Sequence, residues 1–342
     1  MKKFLAIALS AIMVMSLAAC GSSAPAASSN SKEEAATEAA GTAASTDTST
    51  VAIGAVVIAR DDIPEDEIYN LVSTIYENKD EITEQHAKGE ELDLAFASSI
   101  TSVPYHPGAA KYFEEKGFKV ASVKEGAGTG SARDLLFGTG GESGTYYAYG
   151  GVLASYVTGK TDNAITALTS GGSQANIEDL IADNVQIGFT QSDVMAYAYN
   201  GERLFDAPVE GFSVVCSLYM EQVQIVTTNP EIKTVADLKG KNVSIGASGS
   251  GTYFNAIDCL TAYGMTEDDI NSVYQSFGDS AESLKDGKID AAFIVAGAPT
   301  TAITDLSTSK PVYLVGLDQE YSDKLIEASP YYTAYTIPAG TY

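Results

Sequence analysis

Tryptophan is absent, histidine occurs only as His86 and His106, and cysteine only three times in 342 residues. So few thiols exclude a disulfide scaffold, and so few imidazoles leave no set for a zinc centre or a Cys-His nucleophile. Spacing alone leaves open whether Cys216 and Cys259 bridge; two separate buried thiols are the simpler reading. Basic residues are scarce as well, with 20 Lys and Arg against 45 Asp and Glu and a formal charge of −25. Nucleic acid demands clustered Lys and Arg, so it is excluded as a partner, as is a body lying on anionic lipid. No Ser-His-Asp order or nucleophile elbow is present, and Ser143 in GGESG matches Gly-x-Ser-x-Gly only superficially. Both histidines read as peripheral. The chain is therefore expected to be no enzyme, with no catalytic residue, metal or cofactor.

What is present begins at the N-terminus. Lys2 and Lys3 precede an apolar stretch from Phe4 to Met15 and the small-residue site Leu17-Ala18-Ala19-Cys20, the pattern of an export signal. The apolar run is shorter than the ~20 residues that span a bilayer, and no other stretch is long and apolar enough. Residues 1–19 read as a signal peptide. A cysteine directly after Leu-Ala-Ala resembles the lipobox of bacterial lipoproteins, which implies lipidation at Cys20 and an extracytoplasmic protein anchored to the cell membrane. Residues 20–50 are mostly Ala, Ser, Thr and Glu without an aromatic residue, the composition of a disordered tether.

The remaining body exceeds the ~100–200 residues of one typical domain and is expected to form two lobes. VAIGAVVIAR (Val51 to Arg60) reads as a buried strand, and Ile68, Leu71, Val72, Ile75 and Tyr76 recur at helical spacing after it. Strand-helix units then follow through Leu135 to Tyr199, and again through Asn242 to Val295 after a helix opened by Thr234 to Leu238 (TVADLKG). Such alternation predicts an α/β fold with parallel strands whose faces are covered.

In open α/β sheets, ligands bind beyond the carboxyl ends of the strands, where loops lead into helix N-termini. Three Gly-rich loops stand at such places: GTGGESGTYY (Gly138 to Tyr147), SGGSQAN (Ser170 to Asn176) and GASGSGTYFN (Gly246 to Asn255). Backbone N–H groups and the helix dipole make them candidate carboxylate or phosphate sites. The first loop fails as a dinucleotide fingerprint, because Ser143 replaces the third glycine and no acidic residue ends the next strand. The candidate ligand-binding residues are Gly140, Ser143, Thr145, Tyr146, Ser173, Asn176, Gln191 and Ser192 on one lobe. Ser248, Ser250, Gly251, Thr252 and Gly297 face them on the other. Of the aromatic residues, Tyr146 is the best placed to contact a ligand, and Arg60, Lys160 and Arg203 are candidate basic partners. The acidic composition suits an amino acid better than a dianion.

GTGGESGTYY, SGGSQANIEDL, IGFTQSDVMAYAYNG, SLYMEQVQIV, TVADLKGKNVSIGASGSGTYFNA, GKIDAAFIVAGAPTTAI and IPAGTY, in that order, resemble the TAXI family of TRAP transporter solute receptors. The resemblance covers most of residues 135–342. It implies a type II periplasmic-binding-protein-like fold, a two-lobed venus flytrap. It also implies a receptor that delivers a small organic anion or amino acid, glutamate-like compounds among them, to a TRAP-type membrane permease. The alternative is a lipoprotein serving a different transporter class or sensing. In the family, the segment resembling Val51 to Gly117 follows IPAGTY instead of preceding the first loop, so the chain resembles a circularly permuted member. Phe118 to Arg133 would be the linker joining the old ends. The expected division is lobe I over 51–228, including that linker (118–133), and lobe II over 229–342.

Overall fold

Apolar runs become strands here because helices cover both faces of the sheet. The computed structural model describes residues 46–342; the signal peptide, Cys20 and the tether up to residue 45 lie outside the described residues. In chain order the strands are β1 (Thr48–Arg60), β2 (Leu135–Gly138), β3 (Ile165–Leu168), β4 (Ile187–Gln191), β5 (Phe212–Thr227), β6 (Asn242–Ser244), β7 (Asn271–Val273), β8 (Ala291–Ala296), β9 (Tyr313–Val315) and β10 (Thr333–Ile337). They join in one sheet with the path β3-β2-β4-β1-β5-β8-β6-β7, β10 adding to β1 and β9 to β5. On one side β2 runs parallel to β3 and β4; on the other β6 runs parallel to β7 and β8. Two similar parallel halves are thus held together by the long antiparallel pair β1 and β5.

The helices are α1 (Glu65–Glu77), α2 (Lys79–Gln85), α3 (Leu94–Ala97), α4 (Pro107–Glu115), α5 (Thr145–Lys160), α6 (Ser173–Ile181), α7 (Ser192–Asn200), α8 (Gly251–Ala262), α9 (Phe277–Lys285), α10 (Thr301–Ser307) and α11 (Gln319–Ala328). Strand β8 shows how they cover the sheet. Ala291, Phe293 and Val295 enter one hydrophobic core, whereas Ala292, Ile294 and Ala296 enter another, because successive side chains point to opposite faces.

The same accounting locates the two lobes. Val56, Ile58, Val214 and Leu218 lie in the core that α1, α4 and α5 cover, while Val51, Ile53, Val223 and Ile225 lie in the core of the other half. Both long strands therefore cross from one core to the other, near Gly54 on β1 and Met220 to Gln222 on β5. Cys216 and Cys259 are free buried thiols, one in each core.

Several local expectations are corrected. Strand β1 begins at Thr48, inside the segment assigned to the tether: Thr48 pairs with Ile337 of β10, and the buried Thr50 hydroxyl donates to the Val223 carbonyl. Pairing to a neighbouring strand overrode a composition that reads as disordered. TVADLKG forms only a 3-10 turn (Val235–Leu238), closed by a Thr234–Asp237 capping box. His106 is not peripheral: it is fully buried, its Nδ1 accepts from Gly108 N–H at the start of α4, and its Nε2 meets the Ile63 carbonyl at 3.0 Å. Burial pushes its pKa down to about 4. His86 is half-buried against the Tyr149 ring, 4.9 Å between centroids. Residues 118–133 form no helix or strand, yet Lys124 N–H donates to the Tyr105 carbonyl and Gly128 N–H to that of Asp61, tying the segment to the first lobe.

Candidate functional site

The strands of both halves end at the same level, so the helices that follow them begin face to face. The first turns of α5, α6, α8 and α9 border one cavity of about 80 Å3 between the lobes. At roughly 10–15 Å3 per enclosed water, this is room for one small solute. Helices α5 and α8 have no side-chain N-cap, so their first-turn amides and positive dipole ends are left to the cavity; α6 has none either, but its Gln174 and Ala175 amides are taken by the Gly249 carbonyl.

The lobes meet directly around the cavity. Thr145 Oγ1 donates to the Gly297 carbonyl at 3.1 Å, and the N–H groups of Gln174 and Ala175 both donate to the Gly249 carbonyl. Ala302 N–H donates to the Ser143 carbonyl. Behind the cavity, Asn255 on α8 donates to Asp193 on α7, and Arg203 pairs with Asp258 at 2.8 Å. This is a closed arrangement.

Among the residues lining the cavity none is Lys or Arg, and one is acidic: Glu221. It sits where β5 passes between the cores, opposite Ile53 of β1, and is 2% exposed. The Tyr146 hydroxyl donates to Glu221 Oε2 at 2.8 Å, and the Tyr146 ring is stacked on Phe189 with centroids 4.5 Å apart. Burial pushes the Glu221 carboxyl up to about 8, against the opposing pull of that hydrogen bond. Gln191, at the end of β4, also lines the cavity, and its buried Oε1 has no hydrogen-bond partner; Ser250 Oγ likewise has none.

Of the residues singled out from sequence, Gly140, Thr145, Tyr146, Ser173, Gln191, Ser250, Gly251 and Thr252 line this cavity. The others are placed elsewhere. Asn176 is fully buried and donates to the Thr139 and Phe189 carbonyls, tying β2 to β4. Ser192 packs beside Gly54 of β1. Ser143 faces a neighbouring surface depression with Phe277 and Asp305, Ser248 is exposed, and Gly297 contributes its carbonyl to the contact with Thr145. The basic candidates are all engaged away from the cavity: Arg60 with Asp62, Lys160 with Glu81, and Arg203 with Asp258. Sequence reading missed Glu221, Ser276 and Phe277. The signal for Glu221 was available, because one acid inside the run VVCSLYMEQVQIVT must be buried, and a buried carboxyl needs a partner.

Asp193 is a second buried carboxyl, pushed up to about 7 by desolvation. The buried Oδ1 of Asn255, beside it, lacks a partner, and a protonated Asp193 can donate to it. The groups facing Asp193 are the Val194 amide, Asn255, Asp258 and Arg203. Both Asp193 and Glu221 have folded-state values above their ordinary ones of 3.8 and 4.5, so the native state holds more protons than the unfolded chain. These two carboxyls contribute most stability below about pH 4 and lose it as pH rises to about 8, by roughly 1.4 kcal/mol per pH unit for each one titrating, while His106, held neutral by burial, offsets one of them between about pH 4 and 6.5. Urea unfolding at pH 5, 6.5 and 8 reads this slope, and Asp193→Asn is expected to flatten it between pH 5 and 7.

A family model matches residues 26–117 and 137–342, most of the chain, and its description is NMT1-like family. The chain belongs to that family. Among solved structures it is similar to the alkanesulfonate-binding protein SsuA from Xanthomonas axonopodis pv. citri bound to MOPS, with 18% identity over 54% of this chain and 62% of that one and a TM-score of 0.37. It is also similar to the aliphatic sulphonate binding protein SsuA from Escherichia coli, with 20% identity over 62% of each chain and a TM-score of 0.30. The GluR0 ligand-binding core in complex with L-glutamate matches with 13% identity over 62% of this chain and 87% of that one, at a TM-score of 0.36. The chain spans only 62% of the length of either sulfonate-binding protein. The fold is the α/β, type II periplasmic-binding-protein-like architecture. Among the described residues no helix is long and apolar enough to cross a membrane.

Proposed function

We propose that this protein is an extracytoplasmic solute receptor that closes two lobes around a small organic anion or amino acid and delivers it to a TRAP-type membrane permease, held at the membrane through lipidated Cys20. The observation that carries the reading is the convergence of helix N-termini without side-chain caps, α5 from one lobe and α8 from the other, on one cavity. A ligand that bridges donors on both lobes favours the closed state beyond what the direct contacts between the lobes supply, which is how a ligand shifts such an equilibrium. The permease class rests on the resemblance of the seven motifs to TAXI receptors.

The chain order is read as a circular permutation. Strand β10 lies antiparallel beside the start of β1, and Ala339 N–H donates to Asp47, so the C-terminus ends where β1 begins. Residues 118–133 join α4 to β2 without a strand or helix of their own.

Thermal unfolding of the full chain in mild detergent, dialysed exhaustively and then titrated with amino acids and organic acids, tests both points. A ligand at a thousand times its dissociation constant is expected to add about 4 kcal/mol to stability. A transition that no such compound moves overturns the receptor reading, and the lack of any cooperative transition overturns the permuted fold.

A further inference from the structure

The charge around the cavity is asymmetric. The N-termini of α5 and α8 supply donors and positive potential, while the crossing strand β5 supplies a carboxyl. No guanidinium or ammonium lines the cavity to balance a second ligand carboxylate. Beside Glu221 stands the unpartnered acceptor Oε1 of Gln191, a side chain only 2% exposed. Tyr146 donates its hydroxyl to Glu221 and so adds no donor for the ligand at that end. The remaining walls carry serine and threonine hydroxyls, the unpartnered Ser250 Oγ among them, beside the apolar Phe277, Val295 and Ala296 and several glycines.

Resting on the receptor reading above, we propose that Glu221 and Gln191 form an ammonium-recognising end of the cavity, so that the ligand is a small zwitterionic amino acid with a short uncharged side chain rather than a sulfonate or a dicarboxylate. The ligand carboxylate faces the amides of α5 and α8, where negative charge is favoured. Its ammonium donates to Glu221 and to Gln191 Oε1, satisfying the acceptor that is otherwise orphaned, and its side chain meets Phe277, Val295 and Ala296. An ammonium also restores the charge to Glu221, whose neutral form is favoured by burial alone. The groups facing Glu221 from adjacent elements are Tyr146 on α5, Asp193 on α7, Gln191 on β4 and Lys88 on the 3-10 turn Ala87–Glu91. Lys88 is engaged by Glu91 and does not line the cavity.

Calorimetric titration of the dialysed full chain with a matched series tests this: 2-aminobutyrate, 2-hydroxybutyrate, butyrate, succinate and glutamate. The expected result is that 2-aminobutyrate binds at least ~100-fold more tightly than 2-hydroxybutyrate or butyrate, since an analogue lacking the donor leaves buried acceptors unpaired. Succinate and glutamate are expected to bind more weakly than 2-aminobutyrate. In Glu221→Gln the preference for the amino over the hydroxy compound is expected to fall at least ~10-fold, and Glu221→Asp is expected to recover part of it. Equal binding of the amino and hydroxy acids by the unaltered protein, or tighter binding of succinate, overturns the ammonium end while leaving the receptor standing. Binding of none of the five at millimolar concentration overturns both.

Discussion

Replacing Gly251 by valine is expected to weaken ligand binding by at least ~100-fold while leaving the unfolding midpoint of the ligand-free protein little changed. The reason is geometric. A Cβ at position 251 would lie 2.0 Å from Gln191 Oε1 and 2.7 Å from Ser173 Oγ, both on the opposite lobe, so any side chain there wedges the cleft. Gly251 opens α8 with an ordinary negative φ, and a helix accepts an L-residue at its first position without strain. The cost therefore falls on closure and not on folding. The contacted atoms are ends of flexible side chains that line the cavity, so a shift that relieves the clash takes up space the ligand needs. A population shift of about 100-fold against the closed state weakens apparent affinity by the same factor. The check pairs calorimetry, using whichever compound raises the wild-type melting temperature, with small-angle scattering, where the variant should stay expanded when that compound is added. Undiminished binding would show that the lobes close around the ligand in a different way.

Phe189→Ala is expected to lower stability by about 3–5 kcal/mol, read from urea unfolding midpoints at constant m-value. Phe189 is fully buried in β4, stacked between Tyr146 at 4.5 Å and Phe137 at 5.0 Å, with Tyr219 edge-on at 6.4 Å. Removing the ring deletes three aromatic contacts and leaves a cavity that the fixed sheet cannot close. The loss also reaches the site, because the Phe189 ring is what holds Tyr146 against Glu221. Phe189→Leu keeps most of the volume and is expected to cost about 1.5 kcal/mol or less. It should nevertheless alter ligand affinity if the stacking orients Tyr146. An alanine variant as stable as the wild type would mean that this part of the sheet repacks freely, contrary to the close packing of the core.

The sequence was most legible where one chemical constraint decides. Helix and strand alternation followed from the hydrophobic period, and β2, α5, β4 and β8 lie within a few residues of where that period placed them. The three Gly-rich loops were found because turns into helices need small residues, and each contributes to the cavity. Two failures share a cause. Ser143 and Ser248 belong to the right loops but turn away from the cavity, because which side of a loop faces the ligand is set by the lobe packed against it. Asn176 looked like a ligand donor, yet its amide is spent holding two strand ends together.

By itself the sequence determined the α/β class and the places where loops meet helix N-termini, because composition and period act locally and without reference to a partner element. Only the tertiary structure decided the rest. Glu221 is 133 residues from Lys88 and 161 or more from β1 in the chain (221 − 88 and 221 − 60), and its role depends on the antiparallel crossing of β1 and β5 that brings it between two cores. The same crossing buries it, raises its pKa and brings it to a cavity bordered by helix N-termini from both lobes. Long-range pairing of this kind has no local signature, since each strand would read as the same apolar run whichever neighbour it joined.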